Sequence, residues 1–304
     1  MSDIKSRLED FLTELPIEAI VEDVASRSGR KPGEVTPGSG LRAGDIGDML
    51  RNYVNETRVS FDMIRQHIST QQRILEVGAG LCLLSLFLKR EGYNIVALEP
   101  ALGGHELFEQ ARRAILAHYS HIPLRMLDCP AERLDAAVHG KFDVIFSNNV
   151  IEHIPDWQAA LDAMSGVLDE HGYMLHSCPN YNVPYEPHYG VPVLHRVPNL
   201  SRRWFLASDA DQGIWNSLNF ITYYQLQSYC RAHGLCCSFE KGLLYKAVKR
   251  IDEDPLFRER HRGVVATVAW LLLRTGLARL LGSIPAALAT PMVVRIQILP
   301  QETV

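Results

Sequence analysis

Apolar positions along the chain alternate between helical spacing and short continuous runs. Ile4, Leu8, Phe11, Leu12 and Leu15 recur every three or four residues, which predicts an amphipathic helix ended by Pro16. A second short helix is expected over residues 16–26. Residues 28–47 hold many Gly and Pro and read as a linker. Residues 45–68 are helical again, with Met49, Leu50, Tyr53, Ile64 and Ile68 facing inward. Ile74, Leu75 and Val77 then make a short buried strand, and a helical pattern runs over 81–89. Further strands are expected at 94–100, 122–127, 142–147 and 173–178. Helices are expected at 103–119, 131–138 and 156–168, the last capped by Asp156. Strands alternating with helices imply a parallel sheet with right-handed crossovers.

The alternation stops at Pro179. Residues 179–200 contain five prolines and little periodicity, so they form a long ordered loop of the kind that carries function. Helical pieces follow at 201–209 and 222–233, then strands at 235–240 and 293–299, with helical residues 241–292 between them. Residues 264–273 are apolar almost all round, with Arg258, Arg260 and Arg262 before them and Arg274 and Arg279 after. Such a helix packs on the sheet, pairs with a second copy, or lies in a membrane interface.

Charge sharpens this contrast. Residues 1–240 carry 21 Lys+Arg against 30 Asp+Glu, and residues 241–304 carry 10 against 5. The net charge of -4 and the absence of a basic groove with interleaved aromatics argue against a nucleic-acid partner. The six cysteines show no CxxC pairing and sit in apolar runs, as thiols do in a reducing compartment. With no signal-peptide pattern and no apolar run long enough to span a bilayer, a cytoplasmic protein is expected, one able to touch a membrane through 257–291.

The first strand ends in Glu76-Val-Gly78-Ala79-Gly80-Leu-Cys82-Leu83. Glycines here let a backbone approach a ligand over the carboxyl end of a strand. A dinucleotide fingerprint would need a small residue at 83, where Leu83 stands. The acid at 76 has no dinucleotide role but suits a ligand with a cationic amine. Glu99 after the second strand can accept two vicinal hydroxyls.

Together these features resemble the class I S-adenosylmethionine-dependent methyltransferases. Glu76-x-Gly78-x-Gly80 is similar to that family's first motif, with Cys82 where a Gly is usual. Phe142 to His153 resembles its fourth-strand motif, and Gly172 to Asn180 its "Pro-Asn" strand ending. Glu152-His153 and the Pro-Asn-Tyr loop look similar to the ubiquinone-biosynthesis O-methyltransferase-like branch. The resemblance covers residues 50–240. It implies a doubly wound, Rossmann-like α/β fold of seven mostly parallel strands in the order 3-2-1-4-5-7-6, the last strand antiparallel. Residues 1–48 would be N-terminal helices and linker, and 49–304 the methyltransferase domain. Residues 179–221 would form an acceptor-side loop, and 241–292 a helical insertion before the last strand.

The resemblance implies S-adenosylmethionine as cofactor, held by Glu76, Gly78, Ala79, Gly80, Glu99, Asp128, Cys129 and Asn148. Glu99 would take the ribose hydroxyls, and Asp128 with the Cys129 backbone the adenine. His153 is the candidate base toward a small-molecule hydroxyl, amphiphilic or lipid-linked, because a neutral imidazole can accept its proton. Tyr185, Glu186 and His188 are candidate acceptor contacts. A Glu186/His188/His153 metal group is conceivable, but without CxxC or HExxH spacing no metal is expected. A binding protein without chemistry and an NAD-linked oxidoreductase are the rival readings.

Overall fold

The computed structural model describes residues 3–27, 43–100, 106–206, 212–253, 258 and 263–298. Most of the expected linker, the start of the helix expected at 103, and Arg260 and Arg262 lie outside these. The strands are β1 (Arg73–Val77), β2 (Asn94–Leu98), β3 (Arg125–Leu127), β4 (Phe142–Asn148), β5 (Leu168–Cys178), β6 (Leu235–Phe239) and β7 (Met292–Ile298). They form one sheet in the order β3-β2-β1-β4-β5-β7-β6, as expected. β1 pairs in parallel with β2 and β4, and β2 with β3, whereas β7 is antiparallel to both β5 and β6. The chain divides into two compact units, Met1–Phe146 and Ser147–Val304.

In the first unit the helices are α1 (Ile4–Thr13), α2 (Ile17–Arg27), α3 (Ala43–Ile64), α4 (Leu83–Arg90), α5 (Glu106–His118) and α6 (Ala136–His139). The N-terminal helices share the core of this unit. Phe11 of α1 is fully buried, with ring centroids 5.8 Å from Phe87 of α4 and 5.0 Å from Tyr119. Phe61 of α3 meets Phe87 edge-on at 5.6 Å. Of the inward positions expected in α3, Leu50 and Ile64 are buried and Tyr53 is only partly so. β3 is shorter than expected because the backbone at residues 122–124 makes local turn bonds instead of ladder bonds.

The second unit holds α7 (Trp157–Gly166), α8 (Pro198–Phe205), α9 (Gln212–Ser217), α10 (Tyr223–Ala232), α11 (Leu243–Glu253) and α12 (Val264–Arg274). The expected caps are in place: Asp156 accepts from the Ala159 amide, and Thr222 forms a capping box with Gln225. β5 starts at Leu168, earlier than expected. The polar run at 169–171 hides the strand from the apolar pattern. Asn180, fully buried, knits this unit together. Its amide nitrogen donates to the carbonyls of Ala287 (3.1 Å) and Ala289 (3.0 Å), and its Oδ1 accepts from the amides of Asn182 and Tyr223. α12 packs Ala269, Leu272 and Leu273 against Val248 and Ile251 of α11. Its other side leaves Val268, Trp270 and Leu271 about half exposed.

Candidate active site

In the first unit three neighbouring parallel strands end on acids: Glu76 within β1, Glu99 just after β2, and Asp128 just after β3. The loop between β1 and α4 is bent by left-handed residues, Gly78 (φ 70°), Gly80 (φ 56°) and Cys82 (φ 62°). It is tied down from β2. The amides of Gly78 and Ala79 donate to the Leu98 carbonyl at 2.8 and 3.1 Å, and the Gly80 amide donates to Glu99 Oε2 at 2.7 Å. Gly80 has a further reason to lack a side chain. A Cβ there would lie 2.8 Å from the ring of Tyr53, which α3 lays against the loop.

Glu76 is buried, and its carboxyl bonds the hydroxyl of Ser85 in α4. Burial pushes its pKa up to about 8, the Ser85 bonds offset part of that, and nearby Glu99 raises it further. Burial also raises Glu99, opposed by the Gly80 amide and the Arg112 guanidinium, which stands 3.9 Å away. Arg112 is itself buried on α5 and paired with Glu109. Asp128 is exposed, and Cys129 beside it is half-buried.

This set fits the cationic, ribose-bearing methyl donor. A buried, proton-holding acid gains most from an incoming amine, a carboxylate held by a loop amide is oriented for hydroxyls, and the left-handed loop offers backbone close to the strand ends. The sequence marks Tyr53 only as an inward position and gives Ser85 and Arg112 no part in the site. Tyr53 and Arg112 sit on helix faces whose periodicity says only "inward", and Ser85 is one residue in an apolar helix.

In the second unit Asn148, half-buried, ends β4, and Asn149 turns the chain with φ 54°, its amide donating to the Ser177 carbonyl (2.8 Å). A single 3₁₀ turn, Ile151–His153, follows. Asn219 clamps it: its side chain donates to the carbonyls of Ile151 (2.7 Å) and Ile154 (2.8 Å), and its amide donates to the Glu152 carbonyl. Glu152 is 0% exposed. His153 Nδ1 lies 2.7 Å from Ser217 Oγ, whose proton is donated to the Ile214 carbonyl. Ser217 therefore accepts, and His153 carries its proton on Nδ1. Burial lowers the His153 pKa to about 4, with His188 adding to the effect. The ring is neutral, and a weaker base than an unperturbed histidine.

The loop after β5 folds back on Glu186, which is 0% exposed. Its carboxylate accepts from Tyr181 Oη (3.2 Å), His188 Nδ1 (2.6 Å) and the amides of His188 and Tyr189. Burial alone would raise its pKa, but the His188 and Tyr189 bonds together hold it below the ordinary range. Glu186, expected at the acceptor, is thus the internal anchor of the loop. Tyr185 is half-buried, its pKa pushed up to about 12 by burial and by Glu186. His188 meets His153 edge-on, ring centroids 5.3 Å apart. One carboxylate oxygen of Glu152 and one nitrogen each of His153 and His188 lie within 4.8 Å of one another.

A seven-stranded sheet with this strand order and acids at the ends of its first three strands defines the class I methyltransferase fold. A family model described as "Methyltransferase domain" matches residues 50–240. An uncharacterized protein of Mycobacterium tuberculosis is 31% identical over 230 residues, covering 73% of this chain and 78% of its own. A ubiquinone biosynthesis O-methyltransferase of Azotobacter vinelandii is 25% identical over 198 residues, covering 65% and 78%. An S-adenosylmethionine-dependent methyltransferase structure from Mesorhizobium loti shares the fold, with a TM-score of 0.51 at 12% identity, over 78% of this chain and 96% of its own. The chain belongs to the methyltransferase-domain family. It is an S-adenosylmethionine-dependent enzyme, and the oxidoreductase and inactive-scaffold readings fall away. Among the described residues no helix is long and apolar enough to cross a membrane.

Proposed function

We propose that the protein methylates a hydroxyl group of a small, amphiphilic or lipid-linked molecule. S-adenosylmethionine supplies an electrophilic methyl group on a sulfonium. Glu76, Gly78, Ala79, Gly80, Glu99, Asp128 and Cys129 are the residues that would hold it. The observation that carries the acceptor reading is the pairing of His153 with His188 beside Glu152. A hydroxyl becomes a good nucleophile only as its proton is shared, and the Nδ1-protonated His153 keeps a lone pair on Nε2 for that proton. With a pKa of about 4, His153 orients the O–H more than it removes the proton outright.

The Azotobacter vinelandii relative, a ubiquinone biosynthesis O-methyltransferase by name, supports an oxygen acceptor. The amphiphilic part rests on α12. Its exposed Val268, Trp270 and Leu271, with Leu277 and Leu280 beyond it, lie next to Arg274, whose guanidinium sits 5.4 Å over the Trp270 ring. Apolar surface edged by arginine suits an anionic lipid interface.

The test is product formation from labelled donor with phenols, sugars and polyprenyl-linked acceptors, with and without liposomes. The proposal predicts label on oxygen, lost in His153→Ala. Label only on nitrogen or carbon overturns it.

A further inference from the structure

Glu152 and His153 are neighbours on one 3₁₀ turn, and His188 reaches them from the loop after β5. The trio differs from the one conceivable from sequence. Glu186 stands behind His188, bonded to its Nδ1, and Glu152 takes the place beside the two rings. We propose that Glu152, His153 and His188 bind one divalent transition-metal ion.

Both imidazoles are held in the tautomer a metal requires. Ser217 accepts from His153 Nδ1, and the Glu186 carboxylate accepts from His188 Nδ1, so each ring keeps its lone pair on Nε2. A carboxylate behind a ligating histidine is a recurrent support that fixes ring orientation and strengthens the ligand.

Spacing agrees. Donors around a tetrahedral ion at about 2.1 Å stand roughly 3.4 Å apart, and one nitrogen of each ring and one Glu152 oxygen already lie within 4.8 Å of one another. Two imidazoles and one carboxylate favour zinc, iron(II), cobalt(II) or manganese(II) over magnesium or calcium. Three protein ligands leave coordination positions open. An acceptor hydroxyl bound there would lose its proton far more easily, and His153, its Nε2 lone pair then on the ion, would serve as a ligand in place of contacting the hydroxyl itself. That role rests on the hydroxyl-acceptor reading, but binding of the ion does not.

The experiment uses the full chain without a polyhistidine tag, stripped with chelator and titrated with cobalt(II) and zinc(II), read by visible absorption and calorimetry. One ion per chain is expected. His188→Ala should weaken binding at least 100-fold. Glu186→Gln and Ser217→Ala, which remove support and not ligands, should weaken it 10- to 100-fold. S-adenosylmethionine binding, measured on every variant, reports that each is folded. Where His188→Ala does not fold, the Ser217→Ala result decides. No uptake by the folded native chain, or uptake unchanged in the folded variants, overturns the proposal. Stoichiometric cobalt with no methylated oxygen in any acceptor would leave the ion site standing and remove the O-methyl reading. Methylation of oxygen by the stripped protein at full rate, without cobalt uptake, would do the reverse.

Discussion

Glu76 holds a proton near neutrality because burial raises its pKa to about 8. A cationic ligand beside it favours the carboxylate, so donor binding at pH 7 should release close to one proton, read by calorimetry in buffers of different ionisation enthalpy. Affinity should rise with pH until the donor's own α-amino group, with an ordinary pKa of about 8, begins to lose its charge. Between the ordinary carboxyl pKa of 4.5 and about 8 the folded chain binds a proton that the unfolded chain has released. The Glu76 contribution to stability is therefore fully present below about 4.5 and lost as pH rises through about 8. In Glu76→Gln both dependences should vanish. Glu99→Ala removes the carboxylate that bonds the Gly80 amide, and should weaken donor binding at least tenfold by calorimetry with the sheet intact. The acids were legible in the sequence because each ends an apolar run. Cys82 was legible only as a departure from a glycine, and its left-handed φ of 62° is the physical reason a small residue is favoured there. Ser85 and Arg112 were not legible, since a buried polar side chain has no periodicity of its own.

At the scale of elements, the most constrained piece is the loop after β5. Asn180→Ala would leave the Ala289 carbonyl and the Asn182 and Tyr223 amides without their bonds. Each buried group stranded in this way costs about 1–3 kcal/mol, so chemical denaturation should show a loss of more than about 3 kcal/mol. Thr222→Ala, at the α10 cap, should cost about 1 kcal/mol in the same measurement. Most helices and strands were readable from spacing and caps. The early start of β5 was masked by Asp169, Glu170 and His171, which are polar because that end of the strand faces solvent. The 3₁₀ turn at Glu152 is too short to have a period. Asn219, 65 residues or more from the carbonyls it clamps, could be found only in three dimensions.

For the whole molecule, the contrast between an acidic body and a basic, apolar insertion is the main prediction. The protein should co-sediment with phosphatidylglycerol vesicles and not with neutral ones, and Trp270→Ser with Leu271→Ser should abolish this, leaving donor binding unchanged. Equal binding to neutral vesicles, or none to either, would count against a lipid interface. The alternation of apolar runs gave the parallel half of the sheet directly. The placement of β7 between β5 and β6 came from resemblance alone, because pairing order across so long an insertion leaves no local trace.

That placement has a kinetic consequence. Met174 and Ile296 are ladder partners 122 positions apart, and Leu235 pairs with Ile298 across the whole insertion. Until β7 arrives, β5 and β6 each present an open edge, one of them flanked by the buried Met174, Leu175 and Cys178. Closing the sheet is thus a late, long-range event whose loop entropy is met only after 241–291 have been made and gathered. Refolding should show a slow final phase reported by β5–β7 amides in hydrogen exchange. The interval before it is when this chain is most exposed to edge-to-edge aggregation.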